Sequence, residues 1–297
     1  MKAKKVKFNK QQMLWGYIFI APTAIGLFLL NIKPAIDTVI MSFQTSSGLG
    51  EPEWVGTANY TKLFGDSEVW QSLLNTFKYA LISVPAVIIF STLTAVLLNQ
   101  KIKGRSIYRT IFFLPMVAAP SAVAMIWRWL FNSDFGLINN VLTKIGLEKI
   151  VWLSDPDIAI YTVIIVGVWS AIGYNMILIL SGLQEIPKDF YESAEIDGAG
   201  AIKQFFSITL PLVTPTLFFV VVTTIIGALQ VFDAIFMMIP AMSEAMIKTQ
   251  SLAYLFYKYS FMLDDKGYGS AIVVLLLALI LIITGIQLKL QKYWVNY

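Results

Sequence analysis

Cysteine and histidine are both absent from the 297-residue sequence. That excludes disulfides, thiol nucleophiles, Cys/His metal sites and histidine acid–base chemistry. Charge is also scarce. Lys, Arg, Asp and Glu make up 13% of residues, where an average soluble chain carries about a quarter.

What is present is apolar, 57% of the residues, and it is distributed in long blocks. Only six runs of 18 residues or more lack every charged side chain: 11–32, 79–100, 110–127, 158–184, 204–232 and 267–288. The next longest, 38–50, has 13. A helix rises about 1.5 Å per residue, so about 20 residues cross a hydrocarbon core of about 30 Å. The sequence therefore reads as an all-α polytopic membrane protein in a single domain, 1–297. Its six transmembrane helices are expected at about 11–32, 76–100, 110–131, 158–184, 210–236 and 267–289. The first run follows five lysines, as the apolar part of a secretory signal would. It is longer than the about 7–15 residues typical of a signal, so it reads as a retained first span.

Six spans put both termini on one side. The tail before residue 11 has lysines and no acid, the second connection carries Lys101, Lys103, Arg105 and Arg109, and the C-terminal tail has Lys289 and Lys292. Positive charge stays inside, which places both termini in the cytoplasm. The net charge of +4 is thus mainly an orientation signal and not a nucleic-acid surface. The outer segments then fall at about 33–72, 132–157 and 241–266. Trp54, Tyr60, Trp70, Trp129 and Trp152 lie in or beside them, where aromatic belts are expected. The glycosylation-like Asn59-Tyr60-Thr61 reads as a chance match.

One cytoplasmic segment, about 185–211, carries internal structure. Pro187 suits a first helical turn, Asp189 and Glu192 favour its positive end, and Gly198 and Gly200 suit a left-handed stop. The pattern predicts a helix of about three turns, a glycine turn and a second short helix over Ala201–Thr209. Pro211 and Pro215 should bend the chain before the fifth span. Five acids against two lysines fit poorly on an anionic inner leaflet, so a protein partner's cleft suits this helix better than the headgroups do.

The sequence Glu192-Ser193-Ala194, three residues, Gly198, nine residues, Ile208-Thr209-Leu210-Pro211 resembles the EAA loop of binding-protein-dependent ABC importer permeases. Ser193 replaces the middle alanine of that motif, one small residue for another. Further phrases resemble the maltose and glycerol-phosphate type of sugar permease: Gly56 to Tyr60, Asn75-Thr76-Phe77, Arg109 to Pro115, Gly182 to Pro187, and Ile196 to Ala199. The likeness runs from about residue 15 to 290. A Thr-x-Gly-Gly-Pro phrase common in sugar permeases after the fifth span is replaced here by Ile239-Pro240-Ala241-Met242-Ser243-Glu244, which bears on contacts with the binding protein.

The resemblance implies one permease half of a sugar importer in the bacterial cytoplasmic membrane. The expected partners are a second permease chain, usually a different one, two cytoplasmic ATPase chains, an extracytoplasmic solute-binding protein and membrane lipid. It implies that Tyr191, Glu192, Ser193, Ala194, Asp197 and Gly198 form the ATPase-coupling surface. No G-x-x-x-x-G-K-[ST] phosphate loop occurs, so no cofactor is expected on this chain, and ATP and Mg belong on the ATPase chains. Neither catalytic nor metal-binding residues are expected.

Substrate contacts are expected from the spans flanking this loop. At about 100° per residue, Thr223, Gly227 and Gln230 share a stripe about 60° wide, and Asp233 widens it to about 120°. A carboxylate within a span favours a wet cavity or a partner, yet Asp233 also sits at the end of a charge-free run, where water is near. In the fourth span Ser170 and Tyr174 share a face, with Trp169, Gly173 and Asn175 adjoining. Hydroxyl, amide and aromatic groups suit sugars, while small and polar residues also pack helix on helix. Tyr174 matches a sugar-contacting position of the family. A secondary transporter or a channel subunit is the alternative class. The former should show an inverted repeat and more intramembrane ionisable groups than Arg128 and Asp233. An intramembrane enzyme would need paired carboxylates, and Asp233 has no evident partner.

Overall fold

The computed structural model describes residues 10–45, 52–100 and 102–295. The lysines before residue 10, and Lys101, lie outside the described residues. Among the described residues, four helices are long and apolar enough to cross a membrane: α1 (Lys10–Met41), α3 (Ser67–Asn99), α7 (Ala159–Glu185) and α14 (Lys266–Trp294). The number rises to six if each of two sharply bent helix pairs is one span.

The first bent pair is α4 (Arg105–Val117) with α5 (Pro120–Leu130), which turns through 99°. Hydropathy suggested one helix over 110–131, but Ala118 and Ala119 take extended angles, and for Ala119 the reason is that the residue before a proline avoids the helical region. Pro120, lacking an N–H, then starts α5. The second pair is α9 (Ala201–Leu212) with α10 (Thr214–Leu229), bent by 69° where Pro211 and Pro215 were expected to act. The expected fifth helix over 210–236 does not continue past Leu229. A separate short helix, α11 (Asp233–Met238), follows. Ser251 donates to the Val231 carbonyl at 2.5 Å, satisfying an acceptor just beyond the helix end.

Shorter elements complete the chain: α2 (Ala58–Gly65), α6 (Leu137–Lys144), α8 (Asp189–Ile196), α12 (Glu244–Ile247) and α13 (Leu252–Tyr257). The all-α expectation misses one small feature. Gln44–Thr45 (β1) and Glu53–Trp54 (β2) form an antiparallel pair, Gln44 opposite Trp54. Asn59 holds it in place by donating to the carbonyls of Ser42 and Gln44, both at 2.9 Å.

The bundle is organised around α7, which packs on α3, α4 and α10. Its buried Ile160, Val163 and Val166 join one apolar cluster, and Met176, Ile179 and Leu183 join another. The first 18 residues of α1 bury nothing, whereas its last turns pack on α14. Gly173 lets α7 and α4 meet backbone to backbone, because an added Cβ would overlap the Phe112 carbonyl oxygen. Gly173→Val is therefore expected to cost about 1–3 kcal/mol through forced displacement of α4. Gly227→Ala is the control, since a Cβ there meets nothing within 4 Å. Thermal unfolding of the purified protein in detergent checks both; equal midpoints would show that α4 yields freely.

Elsewhere α3 starts in a polar network. Asp66 caps it by accepting from the Glu68 N–H at 2.8 Å, and also accepts from the Tyr268 hydroxyl at 2.7 Å. Glu68 accepts from Lys258 at 2.5 Å and from Gln250 at 3.0 Å, tying α3 to the segment before α14. Burial, reinforced by the Glu68 carboxylate, pushes the Tyr259 hydroxyl well above the usual phenol range. Tyr259 therefore stays protonated and donates to Glu68 at 3.3 Å.

Candidate functional site

A cavity of about 360 Å³ lies between α3, α7 and the break from α10 to α11. From α7 it is lined by Tyr174 and Asn175, and from α10 by Thr223 and Gly227. Gln230 and Asp233 complete that side. These last two arrive by a route that helical spacing did not foresee. Gln230 follows the end of α10, and Asp233 opens α11 after the chain has turned. Asp233 is exposed at the rim, so its carboxylate is hydrated and carries no large burial penalty.

The polar groups divide by what they already bond. Asn175 is 5% exposed; its amide donates to the Ala171 carbonyl at 3.0 Å and accepts from the Thr224 hydroxyl at 3.4 Å. The first bond stays within α7, and the second ties α7 to α10. The Thr223 hydroxyl donates to the carbonyls of Phe219 and Val220 on its own helix. Tyr174 is 40% exposed and presents its ring to the cavity.

Ser170 and Trp169 are not part of this wall. Ser170 lines an adjoining cavity of about 250 Å³ that shares Gly167, Asp233 and Ala234 with the first. Trp169 lies about 140° round α7 from Tyr174 at about 100° per residue. Its ring meets Trp127 edge-on at 5.4 Å, in a separate apolar groove beside α4 and α5. Sequence reasoning missed the α3 side altogether, where Tyr79 and Ser83 line the main cavity. Tyr79 and Ser83 are spaced i, i+4, and Ser83 is the one polar residue between Tyr79 and Ser91, which was the available signal.

The EAA-like segment forms α8 and its glycine turn. The helix has eight residues, about two turns instead of three. Gly198 adopts φ +73°, a left-handed conformation that glycine takes without a Cβ clash. The Gly198 and Ala199 N–H groups donate to the carbonyls of Glu195 and Ala194, closing the helix end. Glu192, Ser193, Asp197 and Gly198 are exposed, and Ala194 is half-buried. Tyr191 points the other way. Its hydroxyl lies 3.0 Å from that of Thr209, and its ring packs on the cluster containing Leu183 and Val213. Four apolar side chains, Phe190, Ile196, Ile202 and Phe206, stand exposed beside the acids. Apolar residues inside an acidic loop were the signal for them.

Residues 64–293 match the family model described as a binding-protein-dependent transport system inner membrane component. The chain belongs to this family. It is 36% identical to a probable ABC transporter permease protein of Bacillus subtilis, YesP, over 99% of the chain and 96% of that relative. The trehalose/maltose transport system permease protein MalF of Thermococcus litoralis is 32% identical, with 97% of both chains covered. A solved bacterial ABC transporter that imports the acidic polysaccharide alginate has the same fold. Its TM-score is 0.86 at 22% identity, covering 97% of this chain and 98% of that one. The chain is thus a multi-pass permease of the cytoplasmic membrane, and in such systems ATP is hydrolysed on a separate chain.

Proposed function

We propose that this chain is one permease half of an ATP-driven importer that moves a sugar or oligosaccharide by alternating access. Each bent helix pair counts as one span, giving six, with both termini in the cytoplasm as the lysine and arginine distribution requires. A second permease chain, a pair of ATPase chains holding ATP and Mg, and an extracytoplasmic solute-binding protein complete the importer. The exposed face of α8, with Glu192, Ser193, Ala194, Asp197 and Gly198, seats on the ATPase, and closure of the ATPase pair biases two packings of the spans.

The observation that carries this reading is the cavity. It joins an aromatic face, hydroxyls, an amide and a hydrated carboxylate from separate helices, a set suited to a polyhydroxylated cargo. Relatives named for trehalose/maltose, lactose and arabinooligosaccharides point to the same cargo class.

The test is co-expression with the candidate partner chains, purification and reconstitution into vesicles. Uptake of maltose, trehalose, lactose or arabinotriose that requires ATP and the loaded binding protein is expected. A complex that contains no ATPase, or uptake indifferent to ATP, overturns the importer reading.

A further inference from the structure

The α3 side of the cavity holds a hydroxyl that the protein leaves free. Ser83 is 3% exposed, lines the cavity, and its Oγ has no hydrogen-bond partner among the described residues. Nearby hydroxyls on α3 behave differently. Ser72, Thr76 and Thr94 donate to the carbonyls four residues back, at 2.8, 2.7 and 2.7 Å. Ser91 crosses to the Ile172 carbonyl on α7 at 3.3 Å. A buried hydroxyl without a partner destabilises the fold that holds it, and folding back onto the helix is the usual remedy.

Tyr79 lies one turn before Ser83 on the same face and lines the same cavity. Its hydroxyl sits where a Cβ on Gly167 of α7 would be, so glycine at 167 opens the space that the phenol occupies. Among the described residues no lysine or arginine lines the cavity, and the one carboxylate there, Asp233, is exposed. The α3 wall is therefore neutral and able both to donate and to accept. That matches an uncharged ring hydroxyl, which needs one of each, and does not match a phosphate or a metal ion.

We propose that Ser83, with Tyr79 beside it, forms a third wall of the saccharide site and hydrogen-bonds a hydroxyl of the passing sugar. This deepens the importer reading and rests on it. The site then has three sides: the Tyr174 ring on α7, the polar residues around the end of α10, and a hydroxyl-bearing face on α3.

The natural chain has no cysteine, so Ser83→Cys gives it a single thiol. In the reconstituted complex, modification of that thiol by a small methanethiosulfonate is followed by mass spectrometry of this chain. The thiol is expected to react, and to react several-fold more slowly with binding protein loaded with the sugar that the wild type takes up. Ser83→Ala is expected to lower the uptake rate about 3- to 10-fold, the worth of one hydrogen bond. Its thermal midpoint should match or exceed that of the wild type, since no native hydrogen bond is lost. A role confined to packing gives the opposite pattern: wild-type uptake and a lower midpoint. That pattern, or a thiol that never reacts, or one that reacts equally with and without sugar, overturns the proposal. Failure of the wild-type complex to take up any of the four sugars counts against the importer reading instead.

Discussion

Glu192→Arg is expected to strip the ATPase from the purified complex while leaving the membrane chain intact. Glu192 is exposed in the first half of α8, beside exposed Ser193 and half-buried Ala194. Exposure means that the fold itself gains little from the carboxylate, and exposed substitutions of this kind stay within about 0.5 kcal/mol. An interface charge that becomes buried on docking behaves differently. Losing one partner of such a pair costs about 2–5 kcal/mol, and reversal adds repulsion from the group left behind. Two kcal/mol is already about thirtyfold in affinity. The ATPase retained on a tagged permease should therefore fall by at least about tenfold, with membrane insertion and the thermal midpoint of the permease unchanged. Wild-type retention would mean that α8 is not the seat, whatever its sequence resembles.

The same helix shows what a sequence can and cannot reveal. The acidic first turn and the left-handed stop are local properties and appear where the residues implied, except that Gly198 alone is left-handed; Gly200 is extended, at φ −69°, and precedes α9. The direction of the helix face is not local. Tyr191 and Ala194 share a row by spacing, yet Tyr191 turns toward Thr209 and the apolar cluster under α8, a contact made by a residue 18 positions away. Grouping Tyr191 with the docking residues followed from the motif; its position beneath them makes it a tether between α8 and α9. Hydropathy likewise located the apolar blocks but not their direction. The block at 110–127 satisfies the length for one straight span, while Pro120 and the two extended alanines before it turn the chain by 99°. The end of α10 carries a glycine, Gly227, but no proline, and just beyond it the Val231 carbonyl accepts from Ser251, 20 positions away. On the cavity, polar residues of α7 and α10 stood out because the flanking loop directed attention to those helices. Ser83 did not, because one serine in an apolar span is most often a hydroxyl folded back onto its own backbone.

Tyr174 and Asn175 are adjacent in sequence and both line the cavity, yet their loss is expected to have opposite signatures. Asn175 is buried and links Ala171 to Thr224. Asn175→Ala removes the hydrogen bond that ties α7 to the half-buried Thr224 and should lower the thermal midpoint, because such a bond contributes about 0.5–1.5 kcal/mol. Tyr174 is 40% exposed with its ring on the cavity. Tyr174→Ala removes a surface against which the C–H face of a sugar can lie, and aromatic contacts of this kind add about 0.5–1.5 kcal/mol beyond area burial. Where the contact is made as the cargo passes and not by the binding protein, the loss appears in the rate. About tenfold slower uptake follows from 1.4 kcal/mol, with ATPase retention and thermal midpoint as in the wild type. Tyr174→Phe keeps the ring and should keep most of the rate, which separates stacking from hydrogen bonding by the phenol. Uptake by Tyr174→Ala at the wild-type rate would remove this residue from the pathway and leave the cavity's specificity to its hydroxyl-bearing walls.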